Sequence, residues 1–570
     1  VTEPATPTIP GTTPAAVDAP RSDLPELLSE LADDLRNVGY TLDGVAELLG
    51  ESANAALARD QIIPALIATE PHNFTPGAAT DRAKAALAVV VRLWLLAVPQ
   101  SDGDIDAALP RTRTAGLVEL GLAVKNDGGA VAAKVDLRPY GWGGVPEEDE
   151  AEGVELWVAS DLAAHQQPGV LRHDHVLGIG QASTTLVQTT IRRPSKRALD
   201  LGTGCGIQAF HLLHHSEHVT ATDISERALA FTRFNLLLNA DALRLDPADL
   251  ESRVSLRLGS LLEPVAGETF DLVVSNPPFV ITPRTEGEQA SDQFTYRDGG
   301  LPGDEIVAQL VRTLPDVLAP GGTAQMLGNW EVRAGSAWSE RPASWLAQSH
   351  TDAQSGNDTQ SRTDAWFIQR EQVSPEFYAE TWLQDASEGR DRELYRNAYG
   401  AYLSDFASRD VEAVGFGMIW LRRPADDSRE GSTRFEEITY PIEQPIGPHL
   451  AAAIERTGWL DAHDLVEAHL VVADDVTEER HQRPGAEHPG VILLRQGAGL
   501  RRTNLLSTEL AGFVSACDGE LSVGQLIGAL SALLGGGDDF DDDAFRAGLL
   551  SDVANLVRDG FLLPEVTDAD

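Results

Sequence analysis

The chain has 570 residues, 42% of them hydrophobic and 23% charged, which gives material for about three or four globular domains. Its 88 acidic and 44 basic residues leave a formal charge of −44, with lysine only at Lys84, Lys125, Lys134 and Lys196, and such a surface disfavours sequence-independent binding of phosphate backbones. No apolar run reaches the roughly 20 residues of a membrane span, and two cysteines, Cys205 and Cys517, make no disulfide framework and fit a cytoplasmic protein.

Residues 1–22, rich in Thr, Pro and Ala, lack the basic start and apolar centre of a signal peptide and read as a disordered tail. A domain over 23–140 follows, helical at first: Leu24, Leu27, Leu28, Leu31 and Leu35 recur at helix spacing. Residues 85–98, interrupted by Arg92, read as a buried helix. The domain closes with a helix and strand over 116–124, the turn Asn126-Asp127-Gly128-Gly129, and a second strand over 130–135. That order is winged-helix-like, and without a basic recognition helix it points to a protein contact or a packing role. The glycine-rich, acidic stretch 141–153 marks a boundary. His173-Asp174-His175 follows it without a cysteine or carboxylate cluster, so these histidines are read as supporting or solvated groups rather than zinc ligands.

Ala198-Leu199-Asp200-Leu201-Gly202-Thr203-Gly204-Cys205-Gly206-Ile207 reads as a buried strand that ends near an acid and turns through three glycines into a helix. The spacing is neither that of a dinucleotide loop nor that of a P-loop. Cys205 reads as a small filler in the turn, and His211, His214, His215 and His218 as an exposed helix face. A second strand, 218–224, ends at Asp223, whose carboxylate can accept from two ribose hydroxyls; the plainer reading makes it a cap for the helix starting near Ser225. A third strand, 254–258, ends at Gly259-Ser260.

The fourth strand runs into Asn276-Pro277-Pro278-Phe279. Proline has no N–H and holds the residue before it extended, so the Asn276 side-chain oxygen and the Pro277 carbonyl can face outward as a pair of acceptors for an amino group. Phe279 offers a flat face for a base or an amide. Tyr296-Arg297-Asp298-Gly299-Gly300-Leu301-Pro302 follows, then a helix over 307–318 ended by Pro320-Gly321-Gly322, and a strand over 323–327. Strands at 365–368 and 414–420 flank an insertion near 370–410 that carries Tyr378, Trp382, Tyr395, Tyr399, Tyr402 and Phe406; it reads equally as a substrate cap and as a helix-pair core. Residues 424–490 give no assignment. Residues 491–570 suggest a second winged-helix-like domain, in which Asp538, Asp539, Asp541, Asp542 and Asp543 mark a solvated helix start rather than a calcium loop.

The glycine turn, Asp223 and Asn276-Pro277-Pro278-Phe279 together resemble class I S-adenosylmethionine-dependent methyltransferases that act on planar nitrogen. The Asp298-Gly299-Gly300 segment resembles the HemK-like release-factor glutamine N5-methyltransferases within that group. The resemblance covers roughly residues 170–330. It implies an α/β fold, a Rossmann-like sheet of the seven-stranded type spanning 141–423, with the mainly helical accessory domains on either side. It implies S-adenosylmethionine as cofactor, contacted by Asp200, Gly202, Thr203, Gly204, Gly206, Asp223, Ile224, Ser260 and Asn276, and catalysis by Asn276, Pro277, Pro278 and Phe279 with no metal. Many relatives carry an acid where Ser260 stands. The implied substrate is macromolecular, a protein glutamine ahead of an adenine or guanine amine in RNA or DNA; a small molecule and a non-catalytic cofactor-binding scaffold remain as alternatives.

Overall fold

The computed structural model describes residues 18–565 except 60, 76–78, 144–152, 165, 168–170, 285–298, 349–362, 386–391, 426–430 and 536–540. Tyr296, Arg297, Asp298, Asp538, Asp539 and most of the expected N-terminal tail lie outside the described residues. The chain divides into two units, residues 1–184 with 194–437, and residues 185–193 with 438–570.

The first unit is built on one sheet of eight strands: β1 (Ser195–Leu201), β2 (Ser216–Asp223), β3 (Val254–Leu258), β4 (Phe270–Ser275), β5 (Leu318–Arg333), β6 (Asp364–Val373), β7 (Val411–Arg422) and β8 (Thr433–Glu437). Their order across the sheet is β3-β2-β1-β4-β5-β7-β6-β8, with β7 antiparallel to both its neighbours. This is the Rossmann-like arrangement of class I methyltransferases with one strand added at the edge. The added strand, β8, runs parallel to β6, Ala365 opposite Thr433, so the domain extends to 437 rather than 423.

The helices that concern the site are α1 (Ile207–Leu212), α2 (Glu226–Leu238), α3 (Glu305–Thr313), α4 (Glu340–Gln348), α5 (Pro375–Asp385) and α6 (Arg392–Ser408). Alternation along the strands sends Leu199, Leu201 and Val273 into a core with Ile306, Val307 and Leu310 of α3 and Trp345 of α4. Asp200, between two of those leucines, meets α1 through the Ala209 N–H at 3.0 Å, so helices cover both faces. The helix expected to reach 318 stops at Thr313. A single 3-10 turn, Leu314–Val317, with a proline early in it, leads into β5, and Pro320-Gly321-Gly322 lies inside that strand rather than before it. A Cβ on Gly322 would meet the Phe270 carbonyl at 2.7 Å, beside the place where the register between β4 and β5 shifts.

The boundary expected at 141–153 runs through a hairpin: Asp136–Trp142 pairs antiparallel with Val154–Ser160. Two asparagines four residues apart, Asn235 on α2 and Asn239 at its C-terminal cap, hold its second strand. Asn239 accepts from Trp157 N at 2.8 Å and donates to Trp157 O at 2.7 Å, and Asn235 makes the same pair with Ala159. Earlier in the chain, the helix Ala79–Trp94, a bridge from Gln100 to Val131, the helices Asp102–Ala108 and Arg113–Glu119, and the hairpin Ala123–Lys125 with Val131–Ala133 follow in turn. Leu28, Leu31 and Leu35 of the leading helix are buried as their spacing required.

The second unit packs the helices Thr508–Ser515, Val523–Leu534 and Asp542–Asp559 around Phe513, Val553, Leu556 and Phe561. Among the described residues it has two three-stranded sheets, and one of them places His469–Val472 between Asp518–Ser522 and Leu562–Pro564. The central strand therefore comes from the stretch that the sequence left unassigned. Asp541 caps the last helix, accepting from Ala544 N at 3.1 Å. Among the described residues, no helix is long and apolar enough to cross a membrane.

Candidate active site

The site follows from strand register. Leu201 lies opposite Ser275 on β4 and opposite Thr222 on β2, and Asp223 lies opposite Leu258 on β3. The glycine turn, Asp223, Ser260 and Asn276 therefore leave four neighbouring strands at the same, carboxyl end. Parallel neighbours sit about 4.8 Å apart, and strand order reverses between β1 and β4, where open α/β sheets bind ligands. Ser275 Oγ donates to Leu201 O at 2.8 Å, tying the two central strand ends together.

The turn has a left-handed backbone at Gly202 (φ 80°), Gly204 (φ 58°) and Gly206 (φ 96°), a conformation that side chains with a Cβ resist. Its N–H groups are largely spent internally: Gly202 and Thr203 on Thr222 O, Gly204 on Asp223 Oδ2, Gly206 on Thr203 O. A turn so satisfied is no phosphate cradle, which needs free N–H donors. A Cβ on Gly202 or Gly204 would meet nothing within 4 Å, so that face is open.

Asp200 is fully buried. Its Oδ2 accepts from Thr203 Oγ1 at 2.7 Å and from Ala209 N, while Oδ1 has no hydrogen-bond partner. Burial, opposed by those two bonds and reinforced by nearby Asp223, pushes its pKa up to about 7. Thr203 thus turns its hydroxyl inward to hold Asp200. Asp223 accepts from Gly204 N at 3.0 Å and Ser225 N at 2.9 Å, one bond per oxygen, which leaves each oxygen a lone pair; its pKa is raised by burial. It does not cap α2. Ser225 does, accepting from Ala228 N. Ile224 and Leu258, exposed by 61% and 49%, are apolar groups at adjacent strand ends that a flat ring would cover, and half-buried Ser260 lies two residues beyond Leu258.

Asn276 is half-buried, and its Oδ1 is enclosed with no partner. The Pro277 carbonyl differs from expectation: it accepts the Phe279 N–H at 2.8 Å, because the loop doubles back on itself, and keeps one lone pair for a ligand. Phe279 is half-buried against the main core. A Cβ on Gly299 would lie 2.4 Å from Ile306 Cδ1 and 3.1 Å from Pro278 O, so this glycine lets the following segment press directly under the loop.

The insertion, α5 and α6, lies between the end of β6 and the start of β7, at the same end of the sheet. Its aromatic core of Tyr378, Tyr402 and Phe406 includes Ile281, two residues past the loop, as the helix-pair reading expects. Two buried carboxylates behind it are paired, Asp304 with Arg341 and Glu331 with Arg409, which also binds Asp405. Sequence spacing gave no sign of these pairs.

Other readings change. His211 is buried, bonded to Tyr140 Oη at 2.7 Å and set against Trp142, so the expected exposed histidine face does not exist; α1 ends at Leu212, before His214, His215 and His218. His175 is buried beside Asp161, which pairs with Arg227. Among the described residues, no three His, Cys, Asp or Glu side chains are grouped to hold a metal. Burial pushes the Cys205 thiol up to about 12, which suits a filler and not a nucleophile.

These residues fit S-adenosylmethionine. Asp223, with a lone pair left on each oxygen, suits a ligand bearing a ribose, the spent turn N–H groups do not call for phosphate, and the Ile224 and Leu258 side chains suit an adenine face. Residues 161–337 match the model of the methyltransferase small domain, and residues 37–134 match that of a domain of unknown function. The chain is 30% identical over 187 residues to a ribosomal protein uL3 glutamine methyltransferase of Bradyrhizobium diazoefficiens, covering 31% of this chain and 54% of that one. It is 32% identical to a release factor glutamine methyltransferase of Geobacter sulfurreducens, covering 30% and 56%, and 25% identical to a ribosomal RNA small subunit methyltransferase C of Alcanivorax borkumensis, covering 34% and 51%. It spans about half the length of each of these relatives.

Proposed function

We propose that this chain, whose central domain is HemK-like and of the class I S-adenosylmethionine-dependent methyltransferase type, methylates the side-chain amide of a glutamine in a protein. The observation that carries the reading is Asn276 Oδ1, enclosed and unpaired at the strand end beside the glycine turn. Leaving such an acceptor unmade costs about 1–3 kcal/mol, a cost that makes sense if a substrate N–H meets it.

S-adenosylmethionine, when bound, supplies a sulfonium methyl open to attack by a nitrogen lone pair. Asp223, Ile224 and Ser260 would hold it, with Asp200 bracing the turn from beneath through Thr203 and Gly202 and Gly204 giving it room. Asn276 Oδ1 and the remaining Pro277 lone pair accept the two hydrogens of the substrate amide. They orient the nitrogen and favour its pyramidal form, which frees a lone pair otherwise delocalised into the carbonyl. Phe279 flanks the amide plane. The alkylated nitrogen is acidic and releases its proton to water, so no side chain has to act as a base. Most of the rate gain is alignment, for which about 7–11 kcal/mol is available.

A nucleobase amine is the second reading, favoured by the likeness to an RNA methyltransferase over 199 residues. The charge of −44 weighs against it, since a nucleic-acid substrate has to approach through a repulsive field. The test is transfer of labelled methyl into lysate from cells lacking this protein, followed by separate protease and nuclease digestion. Release by protease is the expected result. Release by nuclease alone overturns the glutamine assignment.

A further inference from the structure

We propose that Tyr378 positions the catalytic loop, its hydroxyl receiving the backbone N–H of Ile281 and so fixing the point where Asn276-Pro277-Pro278-Phe279 leaves the site. This rests on the methyl-transfer reading for its functional meaning. Few of the loop's own N–H groups can pin it among the described residues. Pro277 and Pro278 have no N–H, and Phe279 N is spent inside the loop on Pro277 O. At its entrance the loop is held by the β4 ladder. At its exit, Ile281 N donates to Tyr378 Oη at 2.8 Å, with Ile281 fully buried.

The phenol is itself held. Asn329 on β5, three residues past the Met326 that faces Ser275, donates its Nδ2 to the same oxygen at 3.1 Å, which fills both lone pairs of the hydroxyl. The ring stacks on Phe416, with centroids 5.7 Å apart and 19° between planes, and takes Phe406 edge-on at 5.5 Å. Tyr378 thus joins three elements, the loop exit, β5 and the helical insertion, at one oxygen. Asn329 Oδ1 is buried with no partner, so Asn329 is held by this bond rather than by alternatives.

Methyl transfer is sensitive to such a tie because a misplacement of about 1 Å can cost about a hundredfold in rate. The test is Tyr378→Phe, which keeps the ring stack and removes the hydroxyl, read by hydrogen exchange and by kinetics of the full chain. In the variant we expect amide exchange in the peptide spanning 276–281 to rise about tenfold, the equivalent of one buried N–H left unpaired. Exchange in 198–209 and affinity for S-adenosylhomocysteine should stay within about twofold, and kcat should fall about tenfold with KM nearly unchanged. Equal exchange at 276–281 in the two proteins overturns the proposal whatever the activity, as does faster exchange with unchanged kcat. Faster exchange in a chain that methylates nothing upholds the positioning contact and removes the methyl-transfer reading instead.

Discussion

Asp200 offers a pH test of the glycine turn. Its carboxyl is fully buried and its pKa is lifted from 3.8 to about 7. Because the folded value lies above the unfolded one, the folded chain holds an extra proton between about pH 4 and pH 7. The resulting stability is fully present below about pH 4 and is lost as pH rises through 7. At 1.36 kcal/mol per unit, three units correspond to about 4 kcal/mol in all, and about 2 to 3 kcal/mol of it falls between pH 5 and pH 8. Asp200→Asn keeps an acceptor for Thr203 and Ala209 but cannot titrate. The measurement is urea unfolding of both proteins at pH 5, 6, 7 and 8, followed by the tryptophan signal. The difference wild type minus variant should shrink by about 2 to 3 kcal/mol across that range. A difference that stays flat, or grows with pH, refutes the account of a buried, proton-binding acid beneath the glycine turn.

Three further outcomes are expected. Gly299→Ala forces a Cβ to within 2.4 Å of Ile306 Cδ1, so kcat should drop by at least about tenfold through displacement of the Pro278 carbonyl, with cofactor affinity retained; overpacking of this kind costs about 1–3 kcal/mol, and steady-state kinetics with calorimetric binding reads both. Arg409→Met strands Glu331, which is 1% exposed, and should destabilise the first unit by about 3–5 kcal/mol, seen as a lowered unfolding midpoint. Ser225→Ala removes the α2 cap and should cost about 1 kcal/mol by the same denaturation assay.

Features that depend on neighbours in the chain were readable. The three glycines announce a turn, an acid closes β2, and Asn276-Pro277-Pro278-Phe279 marks a strand end whose carbonyls have few local donors. These patterns placed the sheet motifs, and the register of β1, β2 and β4 brings them together. Features that depend on distant partners were not readable. Tyr378 is one of seven aromatics in the insertion, and nothing in its spacing singles out the bond to Ile281, 97 residues away. Thr433–Glu437 and His469–Val472 are strands of five and four residues, too short for a period to show, and they acquire their role only by pairing with β6 and with Asp518–Ser522. Pro277 looked free because proline cannot donate to its neighbours; what sequence hid is that Phe279, two residues on, folds back to donate to it. His211 was misjudged for a similar reason, since its partners Tyr140 and Trp142 come from a hairpin about seventy residues earlier.

The most direct test of the central claim is methyl transfer by wild type and Asn276→Ala in parallel, with labelled S-adenosylmethionine and protein from cells lacking this chain, followed by complete hydrolysis of the labelled protein to amino acids. Wild type should place the label in N5-methylglutamine, and Asn276→Ala should place none while binding S-adenosylhomocysteine as tightly as wild type. Label in another amino acid, or undiminished transfer by Asn276→Ala, would contradict the role given to the unpaired Asn276 oxygen.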